Sequence, residues 1–193
     1  MSESIDKFKI PSAKTAEECA PTAEECAPAA VTHGCSQGGR PDSRTVCRRD
    51  KAKSEVAREL FLTGNNCSQA VFCAFAGDYG FNAETARKVA CGLGGGVGRM
   101  REVCGAVGGA ALVFGLEYGD DKMRTYAEVQ KFCDAFKRET GSIICRELLE
   151  GAQVAVETGG SPEARTESYY RKRPCAELVA LAAGILEDML SKG

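Results

Sequence analysis

Between Met123 and Phe136 the large apolar residues recur every three or four positions: Met123, Tyr126, Val129, Phe132, Cys133 and Phe136. That spacing gathers side chains on one face of an α-helix, whereas a strand would put successive residues on opposite faces. The same period runs through Val56, Ala57, Leu60 and Phe61, ahead of Gly64, a residue that ends helices. It returns in Leu178, Leu181, Ala182, Ile185 and Met189, behind Pro174. Asn66 to Ala76 is apolar on most sides, so a helix there belongs at the centre of a core. Asn82 is a candidate N-cap for a helix reaching about Cys91. A short helix is expected after Ser142. No convincing alternation of apolar and polar residues occurs; Gln153 to Glu157 is ambiguous, and one short segment cannot make a sheet. The pattern predicts an all-α protein, a compact bundle of about five to seven helices.

Residues 1–48 read differently. They are rich in Ala, Pro, Ser, Thr and Gly and poor in large apolar residues, and they repeat Thr-Ala-Glu-Glu-Cys-Ala-Pro at 15–21 and 22–28. Two copies cannot build a solenoid. The expectation is a flexible N-terminal tail over 1–48 and a helical domain over 49–193. With 193 residues and 44% hydrophobic content, one such domain has enough material for a core.

The net charge of −2 argues against a nucleic-acid surface. No apolar run follows Met1, and the most apolar stretch, Cys104 to Leu116, is shorter than the roughly 20 residues that span a bilayer. A cytoplasmic protein without a membrane or nucleic-acid partner is expected. In a reducing compartment, 11 cysteines read as catalytic or metal-binding thiols before they read as disulfides.

Four of these cysteines fall where helices are expected to begin. Cys67 follows Asn65-Asn66, Cys104 opens Cys-Gly-Ala-Val-Gly-Gly, Cys145 comes three residues after the candidate cap Ser142, and Cys175 follows Pro174. Unpaired amides and the helix dipole favour negative charge at such positions, hence the thiolate, which is both nucleophile and metal ligand. Cys67, Cys104, Cys145 and Cys175 are therefore the candidate catalytic and metal-ligating residues. They suit an iron–sulfur cluster, a thiol–disulfide cycle, or zinc as a structural staple. In a thiol cycle Cys67 or Cys104 is the expected attacker. No CxxC occurs, so convergence must come from the fold. Cys73, Cys91 and Cys133 sit among apolar neighbours and read as core packing.

The segment Gly92-Leu-Gly-Gly-Gly-Val-Gly98, followed by Arg99 and Arg101, lacks the Gly-Lys-Ser/Thr ending of a P-loop and follows a helix rather than a strand. Its expected role is to turn tightly and deliver Cys104, with loop amides available to sulfur. Glycine costs a helix about 1 kcal/mol, so Gly105, Gly108, Gly109 and Gly115 in one helix imply close approach by a backbone or a cofactor. Gly96, Gly98 and Gly105 are the candidate cofactor-binding glycines. In the tail, Cys19, Cys26, Cys35 and Cys47, with His33, could hold a second metal, but a redox-labile extension is the plainer reading. That histidine is the only one in the chain, which leaves no Cys–His dyad for the helical domain.

At Asn66-Cys67-Ser68-Gln69-Ala70-Val71, Gly94 to Gly98, Cys104 to Gly109, Cys145-Arg146-Glu147-Leu148-Leu149 and Pro174-Cys175, the chain resembles the redox-active family labelled C_GCAxxG_C_C. The likeness covers about Arg58 to Leu190. Where the label writes Gly-Cys-Ala, this chain has Cys104-Gly105-Ala106 and then Gly109. The resemblance implies redox activity at Cys67, Cys104, Cys145 and Cys175, with no established substrate. Some relatives carry haem-binding extensions; this chain has no CxxCH and is not expected to attach a c-type haem. A redox partner protein and a homodimer formed through the glycine-rich helix are further expectations.

Overall fold

The computed structural model describes residues 51–192. Eight α-helices occur among them: α1 (Lys53–Leu62), α2 (Cys67–Ala76), α3 (Ala83–Ala90), α4 (Gly105–Tyr118), α5 (Lys122–Thr140), α6 (Cys145–Gly151), α7 (Glu167–Lys172) and α8 (Cys175–Leu190). The helices expected from sequence are all present, and the count exceeds the expected five to seven by one. The additional one, α7, is a short helix capped by Thr166, whose side chain accepts from the Tyr169 amide. The described residues contain no strand, only an isolated antiparallel bridge between Val103 and Ile144. The stretch 153–157 is irregular chain. The tail expected over 1–48, with Cys19, Cys26, His33, Cys35 and Cys47, lies outside the described residues.

Helix α2 is central, as its all-round apolar sequence requires. Ala70, Val71, Phe72, Ala74, Phe75 and Ala76 are buried, and α1, α3, α4 and α8 all pack against it. Close approach between α2 and α4 depends on Gly109: a Cβ there would stand 2.7 Å from the Ser68 carbonyl oxygen and 3.1 Å from the Val71 Cβ. Phe114 of α4 meets Phe132 of α5 edge-on at 5.8 Å, and Phe132 stacks on Phe136 at 6.2 Å. These rings, with Val113 and Leu186, are almost fully buried, and burying each stabilises the fold by about 1.5–3 kcal/mol.

The apolar stripe of α5 is shorter than its sequence period. Met123 is 85% exposed and Tyr126 58%, whereas Phe132 and Phe136 are buried. The first turn of α5 stands outside the packing, where the Lys122 ammonium covers the Tyr126 ring at 5.6 Å. In α8 the deepest residues are Val179, Ala182, Ala183 and Leu186; Leu178, Leu181, Ile185 and Met189 flank them against the core. No helix among the described residues is long and apolar enough to cross a membrane.

Candidate functional site

Local sequence sets each of the four cysteines at a helix start. Asn66 caps α2: its Oδ1 accepts from the Gln69 amide at 3.0 Å, and the Gln69 side chain accepts from the Asn66 amide at 2.9 Å. The Asn66 Nδ2 also donates to the Cys91 carbonyl at 2.9 Å. Cys67 is thereby fixed as the first residue of α2. Cys104 and Cys145 are tied by the Val103–Ile144 bridge. The Cys104 amide donates to the Ile143 carbonyl at 2.8 Å, and the Cys145 amide donates to the Glu102 carbonyl at 2.7 Å. Ser142 is not the cap of α6; Ile144 occupies that position, and the Ser142 hydroxyl accepts from the Ile144 amide at 2.9 Å, shaping the turn before it. Pro174 is the N-cap of α8 and puts Cys175 at its first position.

These four starts converge. Cys67, Cys104, Cys145 and Cys175 all line one small cavity of about 20 Å³, closed by Gly95, Gly96, Gly105 and three leucines. Cys104, Cys145 and Cys175 are buried and Cys67 is partly buried; the described cysteines are all free thiols.

The wall opposite Cys145 is an unusual turn. Gly95, Gly96, Val97, Gly98 and Arg99 all have left-handed backbone, with φ between +56° and +69°, and Arg101 follows at +60°. Three of these six are not glycine, and Val97 is β-branched, which makes the conformation costly by about 1–2 kcal/mol at each such residue. Reverse hydrogen bonds hold it: Gly98 amide to Gly92 carbonyl at 2.9 Å and Glu102 amide to Gly96 carbonyl at 3.1 Å. Gly96 has no substitute here. A Cβ would stand 2.7 Å from the Cys145 Cβ and 2.8 Å from the Glu102 nitrogen.

Of the glycines expected to serve a cofactor, Gly96 and Gly105 line the thiol cavity. Gly105 lies against Cys67, whose Cβ would be 3.1 Å from a side chain added there. Gly98 faces open space on the rim of a second, larger cavity.

Helix-start position does not by itself make these thiols acidic. Burial pushes Cys104 up to about 12, and the amides of Ala106 and Val107 only partly oppose it. Burial also raises Cys145, against the pull of the Arg101 guanidinium. Desolvation outweighs the helix dipole at both. Cys67 and Cys175 are neighbours that line both cavities, and each thiol shifts the other. Cys67 is raised well above the ordinary range, first by the Cys175 thiol beside it and then because it is buried. Cys175 is lowered first by the Cys67 thiol, with Arg173, Arg165 and Arg101 acting in the same direction and burial opposing. The acidic thiol is thus Cys175, rather than the Cys67 or Cys104 expected from sequence.

The larger cavity, about 290 Å³, adjoins the first and is lined by Cys67, Cys145 and Cys175 together with Arg99, Arg101, Arg165 and Arg173. Cys91 also lines it and is exposed, which corrects its assignment to the core; it follows α3 in a 3-10 turn rather than within the helix. Cys73 and Cys133 are partly buried and pack against the core as expected. Sequence reading also passed over Arg165, Arg173 and Glu163. Their only signal was clustered charge in an irregular stretch, and what brings them here is hydrogen bonding to the left-handed turn: Arg99 Nε donates to the Gly159 carbonyl and Arg101 Nε to the Glu157 carbonyl, both at 2.8 Å.

Four thiols are suitable donors for zinc or an iron–sulfur cluster. As disposed here, however, no group of three or more His, Cys, Asp or Glu among the described residues is arranged to hold a metal ion.

The order and placement of these cysteines agree with a family model described as "Putative redox-active protein (C_GCAxxG_C_C)", which matches residues 65–189. The chain belongs to the C_GCAxxG_C_C family. The matched span of this C_GCAxxG_C_C chain runs from the residue before the Asn66 cap to the last turn of α8, so it includes all four convergent cysteines. Membership carries a general redox role. No curated protein and no solved structure matches the chain.

Proposed function

We propose that the domain performs thiol–disulfide exchange, with Cys175 as the attacking thiol and Cys67 as the resolving one. The observation that supports this is that Cys67 and Cys175 line the same two cavities beside a cluster of arginines, with Cys175 shifted down and Cys67 shifted up. An efficient exchange centre needs one sulfur ionised near ambient pH and a second within reach. In the reaction the Cys175 thiolate attacks one sulfur of a substrate disulfide. The substrate S–S bond breaks, a Cys175–substrate disulfide forms, and the first substrate thiolate leaves and takes up a proton. Cys67, deprotonated in turn, attacks Cys175 and expels the second thiolate. Two electrons and two protons pass from the cysteine pair to the substrate, and the protein is left with a Cys67–Cys175 disulfide. A dithiol reductant returns it to the starting state.

The test is adduct trapping. Fully reduced Cys67→Ser protein, mixed with bis(2-hydroxyethyl) disulfide, should accumulate one mixed disulfide on Cys175, read by mass spectrometry of peptides. Cys175→Ser should accumulate none at Cys67 on the same timescale. Adduct at Cys91 alone, or equal adduct in both variants, would remove this assignment.

The convergence of four thiols on one cavity favours a second reading, in which Cys67, Cys104, Cys145 and Cys175 shift inward to ligate an iron–sulfur cluster or zinc. Anaerobic purification separates the readings: visible absorbance with stoichiometric iron supports a cluster, one zinc per chain supports a staple, and metal-free protein with a reversible disulfide supports exchange.

A further inference from the structure

The larger cavity holds a concentration of positive charge that the thiol chemistry alone does not require. Arg99, Arg101, Arg165 and Arg173 all line it. A single carboxylate, Glu163, serves three of them: its Oε1 accepts from Arg173 Nη2 at 2.7 Å, Arg99 Nη1 at 3.3 Å and Arg101 Nη2 at 3.5 Å. Glu157 adds only a distant contact to Arg99, at 3.7 Å, from an exposed position. The charge in the cavity is therefore cationic in balance.

Arg165 differs from the other three. Its guanidinium lies over the rings of Tyr169 at 4.7 Å and Phe61 at 4.9 Å, so aromatic faces hold it in place. Its Nη1 is fully buried and has no hydrogen-bond partner among the described residues. No carboxylate among the described residues pairs with Arg165, and its side chain lines the cavity, so an anionic group there would meet a guanidinium that nothing else neutralises. The same cavity reaches Cys175. Its volume, about 290 Å³, is at the small end of the range for ligand sites and suits a small molecule.

We infer that this cavity binds the anionic group of a low-molecular-weight disulfide, with Arg165 as its principal donor, so that the substrate's S–S bond lies against Cys175. The inference rests on the exchange reading and specifies its substrate class: a small disulfide bearing carboxylate or a similar oxyanion. The chemistry is the exchange already written, with two electrons and two protons passing from Cys67 and Cys175 to the bound disulfide. Arg165 takes no part in bond making; it is a positioning residue for the substrate's charged end.

The experiment uses the reduced full chain in single turnover with three disulfides of matched chain length: 3,3′-dithiodipropionate (anionic), bis(2-hydroxyethyl) disulfide (neutral) and cystamine (cationic). Each rate is divided by that of a free small thiol with the same disulfide, to remove intrinsic reactivity. The anionic compound should lead the neutral one by at least about tenfold, as expected for one charge-assisted hydrogen bond. Arg165→Gln should bring that ratio to near one, and Arg165→Lys, which keeps the charge, should restore part of it. Arg171→Gln, on the exposed face of α7 and paired with Glu167, should leave the ratio unchanged. A wild-type ratio near one, or the same ratio in folded Arg165→Gln, overturns the inference.

Suberate, the unreactive carbon analogue of dithiodipropionate, separates this failure from failure of the exchange reading. Its binding, followed by calorimetry, should weaken about tenfold in Arg165→Gln. Suberate bound through Arg165 with no disulfide consumed would keep the anion site and sink the exchange reading. Disulfides consumed without charge preference, and no suberate bound, would do the reverse.

Discussion

Cys67 and Cys175, more than a hundred residues apart in sequence, open two helices whose starts line the same two cavities, and their acidities move in opposite directions. Each sits at the first position of its helix, so helix position alone cannot distinguish them. Cys175 is lowered first by the Cys67 thiol beside it and then by Arg173, Arg165 and Arg101. Alkylation by iodoacetamide, followed peptide by peptide, should therefore show Cys175 reacting at lower pH than an ordinary cysteine. Cys104, held up to about 12 by burial, should stay unlabelled at that pH. Cys104 labelling ahead of Cys175 would contradict this order.

Stability should fall in alkali for the same reason. Cys104 keeps its proton to about 12 when folded, against an ordinary value of 9.0 for the unfolded chain. Between those values the unfolded state releases the proton and the folded state does not, so rising pH favours unfolding. The contribution is full below about pH 9 and is lost progressively towards 12, on the order of 1 kcal/mol per pH unit. Tyr169, pushed up to about 12, and Cys67 act in the same sense, while Cys175 opposes. Urea midpoints measured from pH 8 to 11 should decline, and Cys104→Ala should decline less steeply.

Gly96→Ala should destabilise the domain by at least about 2 kcal/mol, because it combines left-handed backbone with a clash at Cys145. Gly115→Ala should do the opposite. It lies in α4 with nothing within 4 Å of an added Cβ, so the helix gains about 0.5–1 kcal/mol. Thermal melts of the two variants test the contrast directly.

Asn66→Ala removes the cap of α2 and the link to Cys91, and should cost about 1–2 kcal/mol. Because the cap fixes Cys67, the same variant should resolve the Cys175 adduct several-fold more slowly. A normal resolution rate in a destabilised protein would mean that Cys67 is positioned by packing instead.

Glu163→Gln removes the carboxylate shared by Arg99, Arg101 and Arg173. Its effect on suberate binding should be opposite in sign to that of Arg165→Gln, a several-fold tightening. Weaker binding in both variants would show that Glu163 acts by holding the arginines in place rather than by competing with the anion.

Much of this was legible in the sequence. Periodicity located α1, α5 and α8, because each buries one face and the 3.6-residue repeat records that. Asn82 was readable as a cap because its side-chain chemistry is local. The four cysteines were identifiable by their helix-start contexts. What was not legible depends on solvation and on distant pairing. Which thiol is acidic follows from burial and from arginines contributed by three separate stretches of chain. The exposure of Met123 and Tyr126 reflects where neighbouring helices stop, and periodicity does not report that. The left-handed turn was visible only as a run of glycines. That Val97, Arg99 and Arg101 adopt the same hand is imposed by its hydrogen bonds and by the 157–163 segment.

Cys67 opens α2 and Cys175 opens α8, so a fragment that holds both sulfurs must span residues 67–175. The two sulfurs cannot meet until the chain has been synthesised as far as Cys175. Unwinding only the first turn of α8 would move Cys175 away from Cys67 while Val179, Ala182, Ala183 and Leu186 stayed packed, and competence in the proposed exchange would be lost before any bulk measure of unfolding moved.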